Sequence, residues 1–244
     1  MALRQTERSG RIMASGTTTT SLNADGTVFW SMRPRVTVNC AMSPDGKIAT
    51  REHRQTRISS PEDMERVRSL RASVNAILVG IGTILADDPH LTVKGLPPEK
   101  NPLRVVLDSH GRTPDEAKVL NGNARTLIVT NESCSRTWNN AQVLRAGGET
   151  VDLTILLPKL HDMGIKTLMV EGGGETIWSF FRMNMVDVYS VYIGNDILGG
   201  RMAPSPVDGE GFTEGDKVHL ELRSVERLGD GVLLTYERLG PGCQ

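Results

Sequence analysis

The stretch Ile165-Lys-Thr-Leu-Met-Val170, followed by Glu171-Gly-Gly-Gly174 and then Glu175-Thr-Ile-Trp-Ser-Phe-Phe181, reads as a buried strand, a glycine turn and an amphipathic helix. Three glycines admit positive φ and let a ligand approach the main chain with no Cβ in the way. The first helical turn leaves N–H groups unpaired, and together with the helix dipole these favour an anion above the glycines. A tight turn that binds nothing is the plainer reading. Three glycines in a row, flanked by Glu171 and Glu175, favour a ligand site. The spacing is not G-x-G-x-x-G, so it points to an anionic ligand without naming it.

Working outward, Val36-Thr-Val-Asn39 alternates and is β-branched, the mark of a strand, and it runs into a loop with turn chemistry at Pro44-Asp45-Gly46. Ser60-Pro61-Glu62-Asp63 opens a helix, with Ser60 as N-cap and Pro61 at the first helical position. Met64, Val67, Leu70 and Val74 form its expected buried stripe; Arg71 falls inside that stripe and Arg66 outside it. Two readings of Arg71 are open: a side chain that snorkels to water, or a guanidinium aimed into a cleft to hold a carboxylate or phosphate. Asn75-Ala-Ile-Leu-Val79 suits a strand covered on both faces, closed by a second glycine turn at Gly80-Ile-Gly82-Thr83, with a loop at Asp87-Asp88-Pro89.

Further strands are expected at Arg104–Asp108, broken by Ser109-His110-Gly111, at Thr126–Val129 and at Val188–Ile193. Leu153–Met163 is helical in pattern, and Pro158 kinks that helix or marks its true start. Val218–Val225 and Val232–Tyr236, joined around Gly229-Asp230-Gly231, predict a terminal hairpin. Strands alternating with helices and then a hairpin give an α/β fold with a mixed, mostly parallel sheet and one antiparallel edge. Residues 1–33 read as a disordered extension with a turn at Asp25-Gly26, and residues 34–240 as one domain.

Composition narrows the function classes. The 28 basic and 29 acidic residues leave a net charge of −1, so no strong field draws nucleic acid or an anionic membrane. Cys40, Cys134 and Cys243 are odd in number and far apart, which fits a reducing, cytoplasmic setting and offers neither a disulfide framework nor zinc spacing. No metal site is expected. There is no nucleophile elbow, no Walker A motif and no zinc-deaminase signature. Four expected strand ends, at 40–46, 80–83, 108–111 and 171–174, fall along one edge of a parallel sheet and line one crevice. Glycine backbone, helix N-termini, an Arg and several carboxylates there suit a nucleotide together with a second phosphorylated compound, with the hard chemistry carried by a cofactor.

Five motifs in order carry a resemblance: Met42-Ser-Pro-Asp-Gly-Lys-Ile-Ala49, Arg57-Ile-Ser59, Val79-Gly-Ile-Gly-Thr-Ile-Leu-Ala-Asp-Asp-Pro-His-Leu-Thr92, Val106-Leu-Asp-Ser-His-Gly-Arg-Thr113 and Val170-Glu-Gly-Gly-Gly174. The chain resembles the riboflavin-pathway reductases over residues 35–238, and most of all their stand-alone archaeal members. The resemblance implies a three-layer dihydrofolate-reductase-like fold with helices on both faces of the sheet, NADPH as hydride donor and a homodimer. The implied substrate is 2,5-diamino-6-ribosylamino-4(3H)-pyrimidinone 5′-phosphate, whose ribosylamine opens to an imine and takes hydride at C1′. By matched position, the resemblance places cofactor contacts on Ala41, Thr83, Asp87, Asp108, Ser109, His110, Gly111, Gly172, Gly173, Gly174, Glu175 and Thr176. It places substrate contacts on Lys47, Arg71, Leu91 and Glu171. No residue is an obvious proton donor for ring opening, and Asp45, Glu171 and solvent are the candidates. Preference for NADPH requires a cation at the ribose 2′-phosphate, for which Arg57, His110 and Arg112 all remain open. A folate-type reductase on the same fold and a non-catalytic nucleotide-binding protein are the rival readings.

Overall fold

A computed structural model of the chain describes residues 33–52 and 56–238. The strands are β1 (Arg35–Met42), β2 (Ala76–Gly80), β3 (Leu103–Leu107), β4 (Thr126–Thr130), β5 (Gln142–Arg145), β6 (Thr167–Gly172), β7 (Val188–Ile193), β8 (Leu220–Leu228) and β9 (Gly231–Arg238). The α-helices are α1 (Pro61–Ser73), α2 (Ile81–Asp87), α3 (Leu153–Asp162) and α4 (Gly174–Arg182). The expected disordered extension and the turn at Asp25-Gly26 lie outside the described residues. Arg33 already belongs to the domain, because its guanidinium forks onto the Asp187 carboxylate at 2.7 and 2.6 Å.

All nine strands form one sheet in the order β5-β4-β3-β2-β6-β1-β7-β9-β8. The seven strands from β5 to β7 run parallel, and β9 and β8 close the far edge antiparallel. Every residue of β2 and of β4 is buried, as expected for parallel strands covered on both sides. Ile77 and Val79 pack with Val106, Ile128 and the α2 residues Ile81 and Ile84 on one face. Ile77 stands beside Met169, and Met169 beside Thr37, so Asn39 shares that face. Helix α1 covers it there, with Arg66 donating to Asn39 at 2.8 Å and Arg71 to Glu171 at 2.7 Å. On the opposite face Phe181 of α4 meets Tyr189 edge-on, with ring centroids 5.4 Å apart. Helices therefore cover both faces of an open, mostly parallel sheet.

Several local expectations change. The supposed glycine turn at 80–83 is instead the start of α2: Gly80 is its N-cap and the apolar Ile81 and Ile84 face the core. The buried side of α1 keeps Val67, Leu70 and Val74 of the expected stripe half-buried but is rotated away from it at the N-terminal end. Met64 is 53% exposed, whereas Asp63 is fully buried and Arg66 turns inward. The cause is the sheet beneath, which presents Asn39 and Ser190 to the helix and so selects a polar side of it. Helix α3 starts at Leu153 behind the N-cap Asp152, whose carboxylate accepts from the Thr154 N–H at 2.7 Å, and continues through Pro158. Pro158 therefore does not mark the helix start; it removes one donor from within the helix. The half-exposed edge strand β5 was not anticipated.

Candidate active site

The ends of β3, β2, β6 and β1 are neighbours and point the same way, so four of the glycine and acid turns line one edge of the sheet. At its centre the glycine stretch is tighter than a three-residue turn. Glu171 and Gly172 belong to β6, Gly173 is the N-cap of α4, and Gly174 is already helical. Pairing with β2 slips here: Leu78 stands opposite Val170 but Val79 opposite Gly172, which makes Glu171 the extra residue of a β-bulge. Such a bulge re-aims a side chain at the end of a strand. Only Gly172 of the three has positive φ, at +137°, a conformation that favours glycine.

The bulge hands Glu171 to α1. Side chains on a helix tilt toward its N-terminus, so Arg71, near the C-terminal end of α1, reaches toward the strand ends. Its Nε and Nη2 donate to the two Glu171 carboxylate oxygens at 2.7 Å each. The Glu171 side chain is 9% exposed and that of Arg71 27%. Burial pulls the Arg71 pKa down, but the Glu171 charge and its hydrogen bonds outweigh that and leave it raised. Both Glu171 oxygens therefore accept from the fork.

Helix α4 begins without a side-chain cap, since Gly173 offers none. The Gly173 N–H itself donates to Thr83 Oγ1 at 3.0 Å, joining α2 to the cradle. The N–H groups of Gly174, Glu175 and Thr176, in the first helical turn, have no partner within the helix. Thr176 lies so close above Gly80 that a Cβ there would collide with its hydroxyl, and a Cβ on Gly174 would stand 2.7 Å from the Ser205 carbonyl oxygen. Asp208 lies against the same turn, its N–H donating to Gly174 O at 3.3 Å and its Oδ1 accepting from Ser205 Oγ at 2.6 Å. No local pattern in the sequence marks residues 205–208 as neighbours of this turn.

The remaining expected site residues divide into two groups. Ala41, half-buried, is next to last in β1 and stands beside Tyr192 of β7. Asp87 is the last residue of α2, about 10 Å down the helix from Gly80, and partial burial raises its pKa. Asp108 is fully buried: its carboxylate accepts from the N–H groups of Arg112 and Thr113, at 2.9 and 2.7 Å, and from the Thr113 hydroxyl at 2.7 Å. Its side chain is committed to its own turn, so this position offers a ligand the loop it shapes and not its carboxylate. In that turn Ser109 Oγ accepts from the Val151 N–H at 3.0 Å, His110 is exposed and Gly111 has a φ of +69°. Leu91, expected on the substrate, is 2% exposed within the core beside Ile84 and Val106, so its side chain is unavailable to one.

Asp45 and Lys47 are engaged with a neighbouring loop. Asp45 accepts from the Leu198 and Gly199 N–H groups at 3.2 and 2.7 Å, and Lys47 Nζ donates to Ala203 O at 3.1 Å. A hydrogen bond from Ser43, then those from the two backbone amides, hold the Asp45 pKa below the usual carboxylate range. That makes Asp45 a poor proton donor near neutral pH. Among the described residues no group of three or more His, Cys, Asp or Glu side chains is placed to hold a metal ion, and no helix is long and apolar enough to cross a membrane.

The chain is 44% identical over 218 residues to the 2,5-diamino-6-ribosylamino-4(3H)-pyrimidinone 5′-phosphate reductase of Archaeoglobus fulgidus, covering 84% of this chain and 98% of that protein. It is 45% identical over 213 residues to the reductase of the same name from Methanothermobacter thermautotrophicus, with the same two coverages. Against the longer riboflavin biosynthesis protein RibD of Actinobacillus pleuropneumoniae, identity is 35% and the match spans 58% of that protein. Among solved structures, the riboflavin biosynthesis reductase Rib7 of Saccharomyces cerevisiae superposes with a TM-score of 0.68 at 21% identity, covering 89% of this chain and 95% of that one, and so supports the fold. Residues 34–234 match the model of the RibD C-terminal domain, and the chain belongs to that family.

Proposed function

We propose that the protein is an oxidoreductase of riboflavin biosynthesis that reduces 2,5-diamino-6-ribosylamino-4(3H)-pyrimidinone 5′-phosphate to its ribitylamino form with NADPH. The observation that carries this is identity of 44 and 45% along 98% of two archaeal proteins that bear the reductase's name. Backbone geometry at the strand ends supports the cofactor reading. The positive-φ Gly172 and the uncapped start of α4 leave three backbone N–H groups for a diphosphate, the arrangement that helix N-termini offer anions. When bound, the nicotinamide supplies the hydride. The chain's part is to hold donor and acceptor in a near-attack geometry, a large share of catalysis where no covalent intermediate with the protein forms.

In this reading the α4 N-terminus and Thr83 hold the diphosphate end, and Ala41 at the end of β1 lies toward the nicotinamide. Arg71 spends Nε and Nη2 on Glu171, and its Nη1, with no hydrogen bond among the described residues, is assigned to the substrate phosphate. The imine carbon accepts hydride and its nitrogen a proton, which we assign to solvent, given how Asp45 and Glu171 are engaged. For the 2′-phosphate the choice narrows to His110 and Arg112, both exposed in the loop after β3. Arg57 lies at the other end of the edge, next to Ile58, which packs against Gly194 after β7. The proposal includes a cytoplasmic homodimer.

The test is loss of reduced-nicotinamide absorbance when purified protein meets NADPH and the pyrimidine phosphate. Oxidation with that substrate and none with dihydrofolate is expected. Turnover of dihydrofolate makes it a folate-type reductase, and tight NADPH binding without turnover makes it a binding protein.

A further inference from the structure

The segment that follows β7 crosses the strand ends and is fastened both to the loop after β1 and to the start of α4. On the β1 side, Asp45 accepts from Leu198 and Gly199, Lys47 donates to Ala203, and the Ile48 N–H donates to Pro204 O at 2.9 Å. On the α4 side, Asp208 bonds Gly174, and Phe212 packs on Trp178 with ring centroids 4.4 Å apart. At the first of these fastenings, Gly199 and Gly200 have φ of +65° and +88° in succession. Two large apolar side chains stand out of this short stretch into solvent, Ile197 at 71% and Met202 at 76% exposure. The loop holding Asp45 is itself rigid: Ser43 is buried, its hydroxyl accepts from the Lys47 N–H at 2.9 Å, and its N–H donates to Lys47 O at 2.8 Å.

A carboxylate spent on two backbone amides of another loop fixes that loop's position. Two exposed apolar side chains close to the loop after β1 gain from burial against a ligand ring. We infer that residues 197–203 form a flap that brings Ile197 and Met202 onto the pyrimidine ring, and that Asp45 is its latch, a positioning residue rather than the proton donor. This rests on the reading of the crevice given above, and its test separates the two.

Amide hydrogen exchange of the ligand-free protein, read by NMR or mass spectrometry, is compared between wild type, Asp45→Asn and Asp45→Ala. Asp45→Ala should speed exchange at Leu198 and Gly199 by about tenfold, the equivalent of one weak hydrogen bond of ~1.4 kcal/mol. Asp45→Asn, which keeps one acceptor oxygen, should fall between. With substrate, Asp45→Ala should raise KM for the pyrimidine phosphate about tenfold, with kcat and NADPH affinity held within twofold. The pair Ile197→Ser with Met202→Ser should raise KM alike without changing exchange at 198 and 199. Unchanged exchange in Asp45→Ala overturns the latch whatever the activity. A fall in kcat at unchanged KM overturns it in favour of a proton donor. Wild-type protein inert toward the pyrimidine phosphate overturns the proposed function and the flap's ligand, while exchange still decides the latch.

Discussion

Arg71 carries the strongest residue-scale expectation, because its guanidinium pairs with Glu171 and, in the proposed function, also meets the substrate phosphate. Lysine keeps the charge but not the fork, so Arg71→Lys should free Glu171 and weaken the grip on the substrate phosphate. Losing a charge-assisted bond costs roughly 1.5–3 kcal/mol, so substrate KM should rise about ten- to a hundredfold, with NADPH affinity unchanged. Substrate kinetics and an NADPH titration check this, and lost NADPH affinity would place Arg71 on the cofactor. Cys40 gives a pH expectation. It is buried beside the Tyr189 hydroxyl at 3.5 Å, and burial pushes its thiol from 9.0 to about 11. A pKa raised in the folded state means stability is intact below the unfolded value and is lost as pH rises from about 9 to about 11. Two pH units correspond to about 2–3 kcal/mol. Urea unfolding at pH 8 and pH 10.5 should show a smaller alkaline loss in Cys40→Ala than in wild type, the difference between the two pH values being the readout. Arg71 announces itself in the sequence as a charge within an apolar helical pattern. Arg66 does not, because what turns it inward is Asn39, 27 residues away, and Ser190, 124 residues away. Neither distance leaves a local signal.

At the scale of elements, the join between β6 and α4 depends on one glycine for space and another for conformation. Gly172 supplies the positive φ, whereas Gly174 lets the 205–208 loop lie on the helix. Gly174→Ala would put a Cβ into the Ser205 carbonyl and the Asp208 carboxylate. Backbone cannot swing aside as a side chain does, so a loss of roughly 1–3 kcal/mol and weaker NADPH binding are expected together. Gly82→Ala is the control: it is helical, with nothing within 4 Å of the added Cβ, and should gain about 0.5–1 kcal/mol. Thermal melts and NADPH titrations of the two variants decide it, and equal behaviour would refute the packing argument. These glycines also mark what the sequence discloses. The β-branched runs of β1, β2, β4 and β7 are plain from pattern, and so is the hairpin around Gly229-Asp230-Gly231. Helix α2 is hidden because Gly80-Ile-Gly82-Thr83 carries two glycines and too few residues for a helical period to show. The bulge at Glu171 is hidden because it exists only relative to β2. Sheet order is a property of pairing between distant segments, and no local pattern encodes it.

For the whole molecule, the sheet ends in a hairpin whose outer strand β8 has no neighbour beyond it among the described residues. Its pairing with β9 slips so that Arg223 is an extra residue: Leu222 stands opposite Tyr236, and Val225 opposite Leu234. Without the slip, residues three apart would face opposite ways; with it, Leu222 and Val225 join Val232, Leu234 and Tyr236 on one face. Leu222 is 49% exposed, Val225 61% and Val232 36%. An apolar face at a sheet edge invites association unless a partner covers it. A second copy of the chain placed about a two-fold axis covers both copies at once, because the same patch meets itself. We therefore assign the proposed dimer seam to this hairpin. Wild-type protein should scatter light with twice the mass of the 26.6 kDa chain. Val225→Glu, which sets two carboxylates into a desolvated seam near the axis, should halve that mass at micromolar concentration. Because the side chain is exposed in the single chain, the variant should keep its fold, as circular dichroism would record. A Val225→Glu protein that remains dimeric moves the seam to another face, and a wild type that is already monomeric removes the dimer from the proposal.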